Sequence, residues 1–437
     1  MKKALIITYY WPPSGGAGVQ RWLKFVKYLR NFGWEPVVYT PENPETPETD
    51  ESLLKDIPEN ITILKKRIWE PYLAYKTFMG KGRKEKIQAA FLNEKKSNPV
   101  NEGISVWIRG NFFIPDARKF WIKPSVRFLE KYIDKNPVDL LISTGPPHSM
   151  HRIGQLLAVK CNLPWIADFR DPWTNIDFYN DLKLTKWADR KHHLMEHDIL
   201  KSASAVITIS KSMAEEFNNI CRRNFTVITN GFDDDDVISS SKIMIDRKFS
   251  IAHIGSLVSS RNPLVLWETL KSIVDQDMDF RNDLEIKLVG REDISVLESI
   301  NKNGLAGFIN KIEYLPHAEV IKVQQKSQVL LLLINNTPNS KSILTGKFFE
   351  YLAANRPILC IGPSDGDAAA ILKETNSGLV ADFKDIQTIK EHILTYYHLY
   401  KSGKLFSESR NVEKYSRKAL TGKLVEVMNE VISGNRQ

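Results

Sequence analysis

Side chains that can bind a diphosphate follow predicted strands in the second half of the sequence. Arg261 comes six residues after Gly255, which ends one strand, and a guanidinium can bind a diphosphate through two hydrogen bonds. Thr345-Gly346-Lys347 opens a predicted helix, whose free N–H groups and dipole attract anions. Glu350 lies one turn further on the same helix face, where its carboxylate can accept hydrogen bonds from ribose hydroxyls.

A third loop, Leu315-Pro316-His317, can line a base pocket through backbone groups, although His317 is also typical of a helix cap or a surface residue.

Each of these signals has an ordinary structural alternative. Arg261 taken alone is also typical of a solvated loop, and Lys347 with Glu350 of a surface ion pair. Their placement directly after strands favours a binding site, because ligands bind beyond the carboxyl ends of strands in open α/β sheets. Together they predict a site for a nucleotide diphosphate.

A second group of polar side chains follows two strands in the first half. His148 and His151 begin a predicted helix one turn apart, and Asp168, Arg170 and Asp171 end the next strand. These side chains should face the cleft, and His148 and Asp171 are the catalytic candidates. His151 and Arg170 are further candidates for substrate binding. The alternatives are that His151 supports the structure and that Arg170 pairs with Asp168.

A glycine-rich turn follows the first predicted strand, Ala4–Tyr9. Gly15, Gly16 and Gly18 open a helix, but their G-G-x-G spacing is not the G-x-G-x-x-G of a nicotinamide dinucleotide site. Tyr39-Thr40 also stands where that site would need an acidic ribose ligand. We expect Gly15, Gly16 and Gly18 to contact a bound substrate. The alternative is a helix start that needs small residues.

Short apolar strands alternate with amphipathic helices along the chain, which predicts α/β architecture with parallel sheets. We expect two Rossmann-like, doubly wound domains that face a central cleft. The first spans 1–235, with an insertion at about 41–115, and the second spans 236–410. A helix in 411–437 is expected to pack back on the first domain. Among the strands of the second domain we predict Ile312–Leu315 and Val329–Ile334.

Composition limits the class of protein. The 437 residues are 42% hydrophobic and have a net charge of +9 with a pI of about 9.1, which indicates anionic partners. Three scattered cysteines form neither a disulfide framework nor a zinc site, and they suit a reducing compartment. The longest apolar run, Val329–Ile334, is far shorter than the ~18 residues of a membrane span. We therefore expect a cytoplasmic protein.

A basic segment in the first half predicts peripheral contact with an anionic membrane. Aromatic residues accompany cations at every fourth position, namely Lys119, Lys123, Arg127, Lys131 and Lys135, and Pro124 is expected to start the helix. With the basic, aromatic stretch Lys65–Lys86, this pattern is typical of a helix on the inner face of a membrane. The alternative is a crossover helix with a solvated basic edge.

Two other patterns are not expected to bind a metal. Asp233–Asp236 contains a D-x-D sequence, but it lies at the predicted linker between domains. His192, His193 and His197 include an i, i+4 pair without the H-E-x-x-H pattern, so we predict a solvated helix face.

The donor segments resemble those of glycosyltransferase family 4, whose members have a glycine and then a basic residue at the first site. At the second they have a glutamate-containing helix that ends in small residues and proline, as in Glu350–Pro357. The first 40 residues resemble the same family, and 142–173 resemble members that build surface polysaccharides. Two positions depart from the pattern: Ser342 replaces a frequent acidic residue, and Ser256 replaces a frequent arginine directly after the strand glycine. The second departure indicates that Lys347 holds more of the phosphate charge.

The resemblance implies the GT-B fold and a retaining glycosyltransferase of the cell-envelope polysaccharide type. Arg261 and Lys347 would bind the diphosphate of a UDP- or GDP-sugar, and Glu350 the ribose. His148 or Asp171 would contact the reacting sugar or the acceptor. Gly16 would contact the donor, and the further candidates for binding the sugar or the acceptor are Gly15, Gly18, His151 and Arg170. The departing diphosphate oxygen would take the acceptor proton, so no dedicated base is implied. We also expect neither a metal nor a cofactor. The expected acceptor is a glycan or a lipid-linked molecule. Two alternatives remain: a sugar-nucleotide epimerase of the same architecture, and a basic nucleic-acid-binding protein, for which no recognition motif is present.

Overall fold

The computed structural model describes residues 1–45, 49–69, 99–236, 243–313 and 315–434. The chain forms two compact units. Unit 1 comprises Met1–Thr229 and Arg417–Gln437, and unit 2 comprises Asn230–Ser416. Part of the expected insertion, residues 46–48 and 70–98, lies outside the described residues, as does most of the basic stretch Lys65–Lys86.

Unit 1 is built on a parallel sheet with the order β3-β2-β1-β4-β5-β6-β7. Its strands are β1 Lys2–Ile7, β2 Trp34–Pro41, β3 Thr62–Lys66, β4 Leu140–Gly145, β5 Trp165–Phe169, β6 Ala205–Thr208 and β7 Thr226–Val227. Its helices are α1 Ala17–Leu29, α2 Pro99–Phe112, α3 Lys119–Lys135, α4 Ser149–Cys161, α5 Lys186–Ser202 and α6 Lys211–Ile220, together with the C-terminal helix Arg417–Ile432.

Helices cover both faces of this sheet, which explains why β4 and β5 are buried along their whole length. One face packs against α3 and α4. The other packs against α1, whose apolar stripe includes Val19, Leu23 and Val26. Leu420 and Leu424 of the C-terminal helix belong to the same cluster, so the end of the chain packs on α1.

Unit 2 has a second parallel sheet, with the order β10-β9-β8-β11-β12-β13. Its strands are β8 Phe249–Ile254, β9 Leu284–Val289, β10 Ile309–Ile312, β11 Val329–Leu333, β12 Ile358–Ile361 and β13 Gly378–Ala381. Its helices are α7 Leu264–Gln276, α8 Met278–Asp283, α9 Ile294–Lys302, α10 His317–Lys326, α11 Gly346–Ala353, α12 Asp367–Thr375 and α13 Ile386–Lys401.

The expected fold class is confirmed, because both units are α/β with doubly wound parallel sheets. The strand order reverses between β1 and β4 in unit 1 and between β8 and β11 in unit 2. The crevice beyond the carboxyl ends of such a strand pair is where open α/β sheets bind ligands. Within the described ranges, no helix has both the length and the apolar character that crossing a bilayer needs.

One strand was predicted in the wrong place. Ile312–Leu315 was expected to be a strand, but β10 covers Ile309–Ile312 and pairs with Ile286–Val289 of β9. β10 is an edge strand with no fully buried residue, so its apolar pattern does not determine one register.

Candidate functional site

The carboxyl end of β8 holds the ammonium group of Lys347. Lys347 Nζ donates a hydrogen bond of 2.8 Å to the carbonyl oxygen of Ile254, the last residue of the strand. Gly255 follows with φ +99°, and a Cβ there would lie 3.1 Å from Lys347 Nζ. Glycine is therefore needed at 255 both for the backbone conformation and for space beside the ammonium.

Arg261 lies on the same side of unit 2, near the end of β11. Its Nε donates to Asn335 Oδ1 at 2.5 Å, and Asn335 comes two residues after β11. Asn335 therefore orients the guanidinium toward the crevice between β8 and β11. Sequence reasoning missed Asn335, although an asparagine pair directly after a buried strand was a usable signal.

Two poorly neutralised cations meet at this point. Burial lowers the pKa of Lys347 most, and the positive charge of Arg261 lowers it further, whereas Glu350 raises it; the resulting pKa is about 7. Burial also lowers the pKa of Arg261. Two cations that lose hydration and repel each other are stabilised by a bound anion, so this position has the electrostatics of a phosphate site.

The amino end of α11 adds backbone donors. Thr345 is the N-cap residue, but its side chain makes no capping hydrogen bond, and its buried Oγ1 has no hydrogen-bond partner among the described residues. A Cβ at Gly346 would meet no atom within 4 Å. The first-turn N–H groups are therefore not capped by a side chain and can bind an anion.

Glu350 lies one turn after Lys347 and lines a small hollow of unit 2. Its Oε2 accepts a hydrogen bond of 3.1 Å from Gln324 Nε2 on α10. Asp233 and His317 also line the hollow, and His317 is the first residue of α10. Asp233 was expected in a linker, but it is buried. Gln324 was missed, because nothing in the sequence links it to Glu350.

The first-half candidates His148 and His151 are both buried at the end of β4. The His148 ring stacks on Trp173, with ring centroids 4.5 Å apart. His151 stacks on Phe169 at 4.2 Å, and its Nδ1 lies 2.9 Å from Ser143 Oγ. In the described part of the chain, His148 Nδ1 and His151 Nε2 have no hydrogen-bond partner.

Both of these imidazoles are neutral at neutral pH. Burial, and then the charges of neighbouring histidines and Arg170, hold the pKa of His148 well below its usual value. Burial and Arg170 lower the pKa of His151 to about 3. Both unpartnered nitrogens approach Gly145, where a Cβ would lie 2.5 Å from His151 Nε2 and 3.3 Å from His148 Nδ1. In a neutral imidazole each of these nitrogens can either donate a hydrogen bond to a hydroxyl or accept one from it, but neither ring is a cationic proton donor.

Asp171 follows β5 as a carboxylate without a fixed partner. It is partly buried, and among the described residues it forms no hydrogen bond or ion pair. Burial raises its pKa, and Arg170 opposes this effect. An uncommitted carboxylate of this kind can accept a hydrogen bond from a sugar hydroxyl.

The suggested pair between Arg170 and Asp168 is wrong. Asp168 is fully buried and pairs with Arg21 at 2.8 Å, a residue that sequence reasoning missed. Trp22 Nε1 and Thr144 Oγ1 also donate to its carboxylate, at 2.7 and 2.9 Å. This network ties α1 to β4 and β5.

Arg170 instead connects the first turn of α1 to the end of β4 through backbone carbonyls. Its Nη1 donates to Gly18 O at 2.8 Å, its Nε to Gly145 O at 3.3 Å, and its Nη2 to Pro146 O. A Cβ at Gly18 would lie 2.9 Å from Arg170 Nη1, so glycine is needed there for packing. Gly16 has φ +87° and is the N-cap residue of α1, and Gly15 before it is buried.

Two surface predictions also need correction. His192 does not belong to a solvated face, because it is buried and its Nδ1 accepts a hydrogen bond of 3.0 Å from Trp173 Nε1. His193 is exposed, as expected. The basic helix α3 begins at Lys119 rather than at Pro124, and its apolar side chains, including Trp121 and Val126, are buried. Its cations from Lys123 to Lys135 form a solvated edge, and Phe120 near its start is exposed. The apolar face of this helix packs in the core, so that face is not available for lipid.

Comparison with known proteins identifies the fold. No protein-family model matches the sequence, and no curated protein gives a significant match. Among solved structures, sucrose-phosphate synthase from Thermosynechococcus elongatus matches with a TM-score of 0.60 and 12% identity, over 99% of this chain and 100% of the other. Anabaena HepE in complex with UDP-glucose matches with a TM-score of 0.61 and 12% identity, over 98% and 100%.

A third structure belongs to a different class of enzyme. A protein from Listeria monocytogenes assigned as a UDP-N-acetylglucosamine 2-epimerase matches with a TM-score of 0.56 and 12% identity, over 99% of this chain and 97% of the other. Identities this low show a shared fold and not a shared reaction. The chain has the GT-B fold, with two Rossmann-like parallel-sheet domains.

Proposed function

We propose that this chain is a glycosyltransferase that moves a sugar from a nucleotide-diphosphate sugar to a glycan or a lipid-linked acceptor. One observation supports this proposal most: Arg261 and Lys347 lie near each other at the amino end of α11, which no side chain caps, with Glu350 one turn further on. This arrangement suits a nucleoside diphosphate, with its phosphates at the helix terminus and its ribose at the carboxylate. The resemblance to glycosyltransferase family 4 supports the same assignment.

In this proposal the protein stabilises the departing diphosphate without a metal. Negative charge develops on the diphosphate as the glycosidic bond breaks, and preorganised cations and N–H groups lower the energy of that state. Lys347 has a pKa of about 7 in the free protein, so a bound diphosphate would favour its charged form. Arg261 and the N–H groups of Gly346 and Lys347 would supply the remaining contacts.

The unit 1 candidates would position the sugar and the acceptor. His148 and Asp171 are proposed to contact hydroxyl groups, since an unpartnered imidazole nitrogen and an uncommitted carboxylate can both accept hydrogen bonds. In a retaining reaction on one face of the sugar, the departing oxygen takes the acceptor proton, so neither residue has to act as a base. Arg170 would hold the first turn of α1, through Gly18, beside them.

UDP is the first nucleotide to test, because HepE was solved with UDP-glucose. Calorimetric titration with UDP, GDP and inorganic pyrophosphate should show a nucleotide that binds more tightly than pyrophosphate. Lys347→Ala should weaken both nucleotide and pyrophosphate, whereas Glu350→Ala should weaken only the nucleotide. Lys341→Ala and Glu319→Ala are matched controls, because both side chains are exposed in unit 2. Unchanged affinity in both site variants would refute the donor site.

A nucleotide-sugar epimerase is the second candidate, because the Listeria monocytogenes structure has the same fold. The two reactions differ in their need for an acceptor. Incubation of the protein with candidate UDP-sugars alone, followed by product analysis, separates them. An isomerised donor formed without acceptor supports the epimerase, whereas release of UDP that increases with added glycan or lipid-linked acceptor supports the transferase.

A further inference from the structure

Large aromatic side chains are exposed on one part of unit 1. The sequence has ten tryptophans, and seven of them are buried; the other three, Trp69, Trp107 and Trp187, are 62%, 39% and 62% exposed. Phe112 and Phe120 are also exposed. We call these five exposed side chains the aromatic patch: Trp69, Trp107, Phe112, Phe120 and Trp187.

Contacts between these residues show that the patch is continuous. The Trp69 and Phe120 rings are 5.0 Å apart, and those of Trp107 and Phe112 are 5.7 Å apart. Lys119 connects the two pairs, because its Nζ donates to the carbonyl oxygen of Phe112 and lies 5.0 Å from the Phe120 ring. Trp187 lies near the start of α5, which is held to α2 because the N–H of Thr185 donates to Asn111 Oδ1 at 2.7 Å. Lys191 Nζ lies 4.8 Å from the Trp187 ring.

Two lysines within the patch lack acidic partners. Neither Lys119 nor Lys191 forms an ion pair with any carboxylate in the described ranges. The charge of Lys191 lowers the pKa of Lys119, after the larger effect of burial, so the two ammonium groups are within electrostatic range. Exposed cations on α2 and α5, including Arg109, Lys186 and Arg190, add to the positive charge. A partner for this patch must therefore be negatively charged as well as apolar.

We propose that the aromatic patch docks on the surface of an anionic lipid bilayer, with its rings in the interfacial layer and its lysines on lipid phosphates. Tryptophan and phenylalanine favour this layer, and nearby lysines are attracted by anionic headgroups. A second copy of the chain fits poorly, because two such patches would bring like charges together. Single-stranded nucleic acid also fits poorly, because these ring pairs are edge-to-face, at 76° and 68°, and leave few free faces for base stacking.

Vesicle flotation of the full chain tests this proposal without nucleotide or acceptor. Wild-type protein should float with vesicles of phosphatidylcholine and phosphatidylglycerol and not with phosphatidylcholine alone, and high ionic strength should weaken the binding. Lys119→Ala with Lys191→Ala should lower the partition coefficient about 25-fold, at about fivefold per lysine. Trp107→Ser, Phe112→Ser and Trp187→Ser combined should lower it about tenfold or more.

Matched controls come from unit 2, where Met278, Ile294 and Phe406 are comparably exposed. Their triple serine variant should float like the wild type. Thermal melting and UDP titration of the patch variants should match the wild type, so a failure of docking is distinguishable from a failure of the proposed donor site. Trp187→Ser alone is a second, milder variant, because its side chain lies near the start of α5.

Three results would overturn the proposal. The first is wild-type protein that does not bind anionic vesicles, and the second is a folded patch variant that binds them like the wild type. The third is a patch variant that binds vesicles normally but loses self-association or oligonucleotide binding, which would assign the patch to a second copy or to nucleic acid.

Discussion

The protonation of Lys347 gives the sharpest test of the donor site. Burial and Arg261 lower its pKa from 10.5 to about 7, so the amine of the free protein becomes neutral as the pH rises above about 7. A diphosphate bound beside it would favour the ammonium form and raise the pKa again. Binding above pH 7 should therefore take up a proton, and affinity should fall as the pH rises.

The size of the fall in affinity follows from the pKa of Lys347 in the free protein and in the diphosphate complex. If the bound diphosphate restores the pKa to 10.5, affinity declines about tenfold for each pH unit between about 7 and 10.5. At about pH 7, half of the free protein molecules already have a neutral Lys347. The affinity should therefore fall about 50-fold, rather than about 100-fold, from about pH 7 to about pH 9. Below about pH 7 the contribution of Lys347 should be constant.

Titration calorimetry with UDP measures both the proton uptake on binding and the fall in affinity with pH. The terminal phosphate of UDP titrates near pH ~6, so it contributes little above pH 7. Titrations at about pH 8.5 in buffers of different ionisation enthalpy should show uptake of close to one proton. Lys347→Met should remove both the proton uptake and the decline with pH, whereas Lys341→Met, at an exposed lysine paired with Asp365, should keep them. Wild-type affinity that is flat across this range, or an unchanged decline in Lys347→Met, would refute the reasoning.

Three further perturbations test other parts of the two units. Glu350→Ala should weaken UDP about tenfold or more through the loss of charge-assisted hydrogen bonds, and 2′-deoxy-UDP should lose less in the same variant; equal losses for both ligands would contradict a ribose contact. Asp168→Asn should lower the free energy of unfolding by about 3–5 kcal/mol, because it leaves the buried Arg21 unpaired, and urea denaturation beside the exposed control Asp198→Asn measures this. Gly18→Ala should cost about 1–3 kcal/mol through overpacking against Arg170; an unchanged melting temperature would show that the loop adjusts freely.

The donor candidates could be predicted because their signals are local. A glycine that ends a strand, a helix that begins at Gly346 and a carboxylate one turn later are all patterns within a few neighbouring residues. The same locality explains why the alternation of strands and helices predicted both sheets.

The partners of these candidates could not be predicted, because they come from distant parts of the chain. Arg21 is 147 residues from Asp168, and Asn335 is 74 residues from Arg261. A single sequence does not show which distant residues pair, even where one partner, such as Asn335, can be singled out by its place after a strand. The suggested pairing of Arg170 with Asp168 rested on two residues close in sequence. Asp168 lies within β5 and pairs with Arg21 of α1, whereas Arg170 follows the end of the strand and donates to backbone carbonyls.

The predictions for the apolar face of α3 and for His192 were wrong for a related reason. The charges of α3 are periodic, but periodicity shows which residues share a face and does not show whether the apolar face is buried. That face packs in the core of unit 1, and the exposed rings come from positions without a clear period, such as Trp69 and Trp187. His192 was assigned to solvent from its helical spacing, although the indole N–H of Trp173 needed a buried acceptor.

Ser256 stands where the resembled family often has arginine, and Lys347 brings a positive charge to the same end of β8. That family often has arginine directly after the strand glycine, whereas here the ammonium of Lys347 reaches the end of β8 from α11. If the two positions supply the same charge, Ser256→Arg should restore diphosphate binding to Lys347→Met, since Ser256 is exposed and has room for a larger side chain. The rescued protein should bind UDP without proton uptake, because a guanidinium does not titrate in this range. Calorimetry of the double variant decides the point: an affinity no better than that of Lys347→Met would mean that the two positions are not equivalent.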